Sequence, residues 1–381
     1  MRLYRNKVLL GLKNNDIGDL LNKELGKNYD ESKYRKHADA YIEGWDDCLL
    51  SQITEEEVFE KLETERDELY KQQVKTGDKL REYRKLLRTD ARIENLKDII
   101  IDSAEKISKN KPFKLNKDNY IETDKIGIIQ ISDWHFDEIV DNFLNKFDHE
   151  EFDRRIEKLT KDVIKYGKSN DINTLKVLNH NDLISGNIHV STRVMSEEDA
   201  IFQTQYVAEA LGNVLFEWGK EFNKVEFLGV LDNHSRLNKN KKEHIEKENL
   251  SKFIPWFLKV RLKDVNNVEI IDNSIDENIG IVDIFNKKAF FVHGHLDSNK
   301  NVIQNLTLMT KIFPIAVFTS HIHHNVEDEV HSIDLIVNPS LIGTNYYAKD
   351  IRKTSMARQK MTIYENIEGK VNRLATYFIT F

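Results

Sequence analysis

Five short blocks of metal-capable side chains punctuate the later part of this 381-residue chain, each following a strand-like run. The first is GIIQISDWH, Gly127 to His135, where an apolar run gives out onto Asp133 and His135. Such a run predicts a buried strand. Open α/β sheets present ligands at the carboxyl ends of their strands, and two side chains spaced i, i+2 converge there once the chain begins to turn. One pair is weak evidence, but four later runs repeat the pattern: VLNHNDLISG with Asp182, FLGVLDNHSR with Asn233 and His234, FFVHGH with His293 and His295, and VFTSHIHH with His321, His323 and His324. Oxygen and imidazole donors gathered from several strand ends suit divalent cations of hard to intermediate character, and there are too many for one ion. Asp182 is expected to bridge two cations, offsetting their repulsion and fixing a separation of roughly 3.5 to 4 Å. His293 is favoured over His295 as a ligand, His321 and His323 can serve different ions from one turn, and His324 reads as an outer or exposed group. His234, directly after Asn233, points elsewhere and suits stabilising phosphoryl charge or protonating a leaving oxygen.

The elements that must hold these residues are strands alternating with helices. A helix is expected over Asp148 to Tyr166, with Phe152, Ile156, Leu159, Val163 and Ile164 on its apolar face. Strands follow over Thr174 to Asn179 and Val225 to Leu231. The loop Ser185 to Arg193 carries His189, Thr192 and Arg193 ahead of a helix from about Ser196 to Phe222; His189 and Arg193 are candidate substrate contacts, with a surface histidine the bland reading of the first. Arg236 is read as a clamp for a nonbridging oxygen, or as a surface ion pair. LNKNKKEHIEKENL then begins a helix to about Leu262, with Pro255 marking an internal break, and Lys239, Lys241 and Lys242 read better as a solvated helix start than as a rim for a polyanion. A hairpin is expected through Asn286-Lys287, a helix over Ile303 to Phe313, and antiparallel strands to the end that complete a second sheet.

With these residues in place, Gly127 to Phe381 resembles the calcineurin-like metallophosphoesterase superfamily, whose pattern is Asp-x-His, Gly-Asp, Gly-Asn-His, a lone His and Gly-His-x-His. The resemblance implies an α/β fold with a two-sheet β-sandwich flanked by helices, preceded here by an all-helical N-terminal region. It implies one metal held by Asp133, His135, Asp182 and His323 and a second held by Asp182, Asn233, His293 and His321, with His234 as the nonligating catalytic histidine. Three glycines of the pattern are replaced by Asn181, Asp232 and Ser320. Asn and Asp follow glycine into the left-handed region better than Ser does, so the departures bear on turn geometry, and Asp232 adds an acid that would repel an anionic substrate.

Ahead of that domain, residues 1–50 read as a helical module, 51–109 as a long helical hairpin or coiled-coil segment, and 110–125 as a linker; 126–381 is the dimetal domain. In the first, DIGDLLNKELGKNYDESKYRKHADAY resembles helix-turn-helix-like modules of phage and mobile-element proteins, with Lys33, Arg35, Lys36 and His37 on the second helix and Asp30 or Ser32 as its cap. In the second, Thr54 with Glu57 makes a capping box, Gly77 with Asp78 is the candidate bend, and two approximate heptad tracks admit a homodimer. The net charge of -7 offers no global attraction to nucleic acid, so DNA binding would be local. Cys48 is the only cysteine, which excludes an internal disulfide, and no run of 18 apolar residues occurs. A cytoplasmic protein without membrane contact is expected, in the host cytoplasm if phage-encoded. The function expected is phosphodiester hydrolysis by a metal-bridging water or hydroxide, with two divalent ions, Mn²⁺ ahead of Fe or Zn²⁺, and DNA as the substrate. The alternatives are a phosphatase or small-molecule or cyclic-nucleotide phosphodiesterase, and a phage DNA-binding or assembly scaffold.

Overall fold

The computed structural model describes residues 2–50, 55–109, 112–117, 123–242, 244–246, 248–273 and 275–381. They divide into two compact units, 1–91 and 92–381.

The first unit is helical. α1 (Arg2–Arg5), α2 (Asn14–Leu25) and α3 (Glu31–Leu50) enclose a small core of Tyr4, Ile17 and Ala38, backed by Leu3, Leu12, Leu21 and Tyr34. Gly26, at φ 61°, ends α2 in the left-handed conformation, and the Asp30 carboxylate accepts from the Ser32 N–H to cap α3 as expected. Leu20, Leu25 and Tyr41 are exposed. α4 (Glu55–Lys109) is continuous: the chain does not turn back at Gly77, so the intramolecular hairpin is not formed. The capping box expected at Thr54 lies outside the described residues.

The second unit is built on β1 (Lys125–Ser132), which feeds a small ribbon, β2 (Val140–Asn142) and β3 (Asn145–Phe147), and then α5 (His149–Ser169). Next come β4 (Thr174–Asn181), α6 (Val190–Met195), α7 (Ala200–Glu221), β5 (Lys224–Gly229), α8 (Phe253–Arg261) and β6 (Val268–Ile271). β1, β4, β5 and β6 run parallel because α5, α7 and α8 carry the crossovers. The second sheet uses β7 (Gly280–Ile284), β8 (Lys287–Phe291), then α9 (Val302–Thr310), β9 (Ala316–Thr319), β10 (Val326–Val330) and β11 (Ile333–Val337). After α10 (Tyr346–Asp350), the chain returns to the first sheet as β12 (Arg358–Ile367) and β13 (Lys370–Thr380). The orders are β13-β12-β1-β4-β5-β6 and β10-β11-β9-β8-β7.

Alternation along the strands sorts the apolar side chains into layers. Ile126, Ile128, Leu178 and Leu228 meet Val282, Phe291, Phe318 and Ile336 between the sheets. Ile129, Ile131, Val177 and Phe227 turn the other way, onto Phe152, Leu159, Leu211, Leu215 and Leu258 of the helices. α9 covers the far face of the second sheet through Val302, Ile303 and Leu306. The result is the two-sheet sandwich flanked by helices and preceded by helices. Among the described residues no helix is long and apolar enough to cross a membrane.

Three expectations change. α7 begins at Ala200, capped by the Asp199 carboxylate on the Ile201 and Phe202 N–H groups, while Thr192 and Arg193 belong to α6 rather than to a loop. Among the described residues of 237–249 none is helical: Asn238 and Asn240 turn the chain by accepting from the backbone of Asn240 and Lys242, and Arg236 bridges to Asn249. Pro255 accordingly sits in the first turn of α8, where its missing N–H costs nothing, and breaks no helix. Part of the expected linker is packed down, with Phe113 stacked on Phe216 at 4.3 Å and Leu115 bridged to Val265.

Candidate metal centre

β1, β4, β5, β8 and β9 all end at one edge of the sandwich, and the residues just past them converge. Leaving β1, Asp133 and His135 both take left-handed backbone, φ 51° and 45°; past β9, His321 and His323 do the same at 71° and 60°. Side chains two residues apart are thereby brought to the same side. Non-glycine residues in this region cost free energy, of order 1–3 kcal/mol each, and concentrate at functional sites where the surroundings over-determine them. Here the surroundings are visible. The Asp133 carbonyl accepts from Leu341 N–H at 3.1 Å, the Asp133 N–H donates to Asn181 O at 2.9 Å, and buried Arg155 holds the Leu341 and Ile342 carbonyls at 2.8 and 2.9 Å. The Gln359 side chain takes both the N–H and the carbonyl of Ser132, where the β1 ladder gives out.

Three overlapping groups of donor atoms result, each able to hold a metal ion: Asp133, His135 and His323; His135, Asp182 and His234; and Asp182, His293 and His321. His135 Nε2 lies 3.1 Å from His323 Nε2, and His293 Nε2 lies 3.0 Å from Asn233 Oδ1, 3.0 Å from Asp182 Oδ2 and 3.1 Å from His321 Nδ1. Asp133 Oδ1 and Asp182 Oδ2 are buried without a hydrogen-bond partner. Fully buried carboxylate oxygens facing imidazole lone pairs are costly unless a cation joins them, so the donor set fits divalent ions. The seven expected ligands are together, and Asp182 sits where two groups overlap.

Neighbouring groups fix the tautomers and charges. His293 Nδ1 donates to the His180 carbonyl at 2.8 Å, so Nε2 is the nitrogen turned to the cluster, where either a proton or a cation takes its lone pair; His234 Nδ1 donates likewise to Ser185 O at 2.8 Å. Burial would push both carboxyls up, but His323 beside Asp133 and His293 and His234 beside Asp182 outweigh it and hold them well below the usual range. Burial opposes protonation of His293, yet Asp182 lifts it to about 9; His321, lacking so close an acid, is pushed by burial and by His293 down to about 4.

The three lost glycines find separate answers. Asn181 is left-handed at φ 64°, as its residue type allows. Asp232 and Ser320 are absent from the left-handed set, so no glycine is required there. Ser320 Oγ donates to the His293 carbonyl at 2.9 Å. Asp232, expected to repel substrate, is buried and turned inward: its carboxylate accepts from the Asp182 N–H at 2.9 Å and from Ser235 N–H and Oγ. It is a positioning group. Arg155, Gln359 and His180 were likewise not read as site residues, since each acts through contacts distant in sequence.

Among candidate substrate contacts, His189 directly precedes α6 with its ring 5.7 Å from that of His234, and Arg236 anchors its Nε on the Asn233 carbonyl at 2.9 Å. Arg193 is exposed on α6, and the described residues give its side chain no contact with the cluster. His295 stands beside His293 and His321, at 5.3 and 6.2 Å between rings, while His324 bonds the Ile322 carbonyl at 2.6 Å.

Residues 1–53 match the family described as the YonJ N-terminal domain. Across 97% of its length the chain is 24% identical to the SPbeta prophage-derived uncharacterized protein YonJ of Bacillus subtilis strain 168, of which 93% is covered. Among solved structures it is similar to a novel archaeal phosphodiesterase, at TM-score 0.33 and 16% identity over 66% of this chain and 98% of that one. It is also similar to Zn-complexed Vps29 of Entamoeba histolytica, at 0.31 and 10% over 67% and 99%. A predicted phosphoesterase of Streptococcus pneumoniae TIGR4 gives 0.28 and 9% over 68% and 98%.

Proposed function

We propose that this chain is a metal-dependent phosphoesterase that hydrolyses phosphodiesters, with DNA as its substrate. The observation that carries the reading is that Asp182 belongs to two overlapping donor groups, with His135 and His234 in one and His293 and His321 in the other, while His135 links the first to Asp133 and His323. Asp133, His135, Asp182 and His323 would hold one ion, and Asp182, Asn233, His293 and His321 the other; mixed imidazole and carboxylate ligation favours Mn²⁺, with Fe and Zn²⁺ next. When bound, such a pair supplies Lewis-acid polarisation of the phosphoryl oxygens and lowers the pKa of coordinated water.

The chain's own groups do the rest. His234, oriented through Nδ1, turns Nε2 toward the cluster edge and in its protonated form donates to the leaving oxygen. Arg236 and His189 flank it and would orient nonbridging oxygens. DNA is preferred over a small diester on two supports: exposed Lys33, Lys36 and His37 on α3, and similarity to a protein described as prophage-derived.

The test is hydrolysis of labelled single- and double-stranded DNA and of bis-p-nitrophenyl phosphate under a series of divalent ions, with bound metal counted and Asp182→Ala as control. DNA cleavage that needs both the ion and Asp182 is expected. Cleavage of the small diester alone moves the substrate to nucleotides or small phosphoesters. Near-native turnover by metal-replete Asp182→Ala, or silence of a wild type carrying two ions, overturns the enzyme reading.

A further inference from the structure

α4 is 55 residues long, about 80 Å at the rise of an α-helix. From Phe59 to Arg84 every residue except Gly77 is exposed. Tyr70 and Val74 aside, its large apolar side chains from Phe59 to Leu87 are not scattered. Phe59, Leu62, Leu69, Leu80, Tyr83 and Leu87 are all about half exposed or more, and they fall on two tracks of seven-residue period offset by three. The polar members of the same tracks, Arg66, Gln73 and Thr76, occupy the middle. Together the tracks have the spacing of a two-stranded coiled-coil seam. A helix this long with such a seam in water, and with glycine inside it at a cost of about 1 kcal/mol, draws most of its stability from a partner.

Charge decides which partner and which way round. Glu55 to Glu68 carries eight acidic and two basic residues, whereas Lys71 to Arg92 carries eight basic and three acidic. A second copy laid parallel would set acid on acid, base on base, and the two Arg66 side chains against each other in the seam. A second copy laid antiparallel sets each acidic half on a basic half. We infer that α4 pairs with α4 of a second copy of this chain as an antiparallel coiled coil whose twofold axis crosses the helix between Gln73 and Thr76.

That register matches leucine with leucine on both sides of the axis, and its outer layers set Phe59 against Asp90 and Glu55 against Glu94. Leu62 meets Leu87 and Leu69 meets Leu80, while Gln73 meets Thr76 at the axis, where a polar layer fixes register. Arg66 meets Tyr83, whose ring accepts a guanidinium. On the flank, Glu63 lies opposite Arg84, and symmetry makes every such contact occur twice. The parallel orientation pairs each leucine with itself equally well, so it is the charge gradient that decides against it.

The test uses the full chain. Sedimentation equilibrium should give a dimer mass. In a Cys48→Ser background, a spin label at Glu60→Cys should show a distance near 45 Å, the axial offset of the two positions in this register. A parallel pair would bring the two labels within about 25 Å. Glu63→Arg and Arg84→Glu should each weaken the dimer about tenfold, and the two together should restore it, with far-UV circular dichroism reporting that every variant is folded. A monomer mass, a short label separation or charge reversal without rescue overturns the inference.

Discussion

His234 and the ligands around it can be told apart by a single substitution. Its ring belongs geometrically to one of the three donor groups, yet its Nδ1–H is committed to the Ser185 carbonyl and its backbone N–H to Asp182 Oδ1 at 3.1 Å. A residue that holds protons for the reaction and not the ion should leave metal content intact when replaced. His234→Gln is therefore expected to keep two bound ions by elemental analysis while kcat on bis-p-nitrophenyl phosphate falls about 10²- to 10⁴-fold. Loss of an ion would make His234 a ligand instead. The ligand types and their order were legible in the sequence because each follows an apolar run. What could not be read there is the backbone: the left-handed turn at Asp133 is held by Arg155, Gln359 and the 341–342 loop, and the His321 N–H goes to Asp133 Oδ2 at 3.3 Å, all contacts from far along the chain.

Between β4 and β5, Lys176 and Glu226 stand directly opposite in register and pair within the sheet, with Lys224 at 2.5 Å from the same carboxylate. Burial pushes the Glu226 carboxyl up, but the two ammoniums outweigh burial and hold it below the usual range. A lowered folded pKa means that the unfolded chain takes up the proton first. The pair's contribution to stability is complete above the ordinary glutamate value of about 4.3 and is lost as pH falls through the lower folded value. Glu226→Gln should flatten the decline of thermal stability below about pH 4.5, as measured by melting at stepped pH. An unchanged acid slope would show that the pair is not linked to unfolding. Elements of this kind, buried parallel strands with amphipathic helices between them, were readable from period alone. The misread starts share a cause: Ser196-Glu197-Glu198 looks like a helix opening, but the Glu197 and Glu198 N–H groups go to the Asp137 carboxylate, at 3.3 and 2.9 Å, so the helix waits for Asp199. In the Lys- and Glu-rich tract after Arg236, helix propensity loses to asparagine turns and to Asn249, whose side chain donates to the Asp232 carbonyl at 3.0 Å.

At the scale of the whole chain, the net charge of -7 sets the terms for any polyanionic substrate: attraction must come from a local surface and must be sensitive to salt. α3 offers such a surface only in part. Arg35 is paired with Glu31 at 3.3 Å and Lys33 lies over the Tyr29 ring at 3.7 Å, which leaves Lys36 and His37 the exposed positions for which no ion pair or ring contact is described. If α3 holds DNA, Lys36→Glu should raise KM on DNA several-fold and lower the slope of log affinity against log salt by about 0.9 for each duplex phosphate that Lys36 neutralises, or about 0.7 on a single strand. The same substitution should leave kcat/KM on bis-p-nitrophenyl phosphate unchanged, because that substrate has no polynucleotide backbone for α3 to hold. Parallel DNA kinetics and salt titrations of wild type and variant measure both. An unchanged salt slope with unchanged KM would take Lys36 off the DNA surface, since a lysine cannot be taken off a phosphate without releasing fewer counterions.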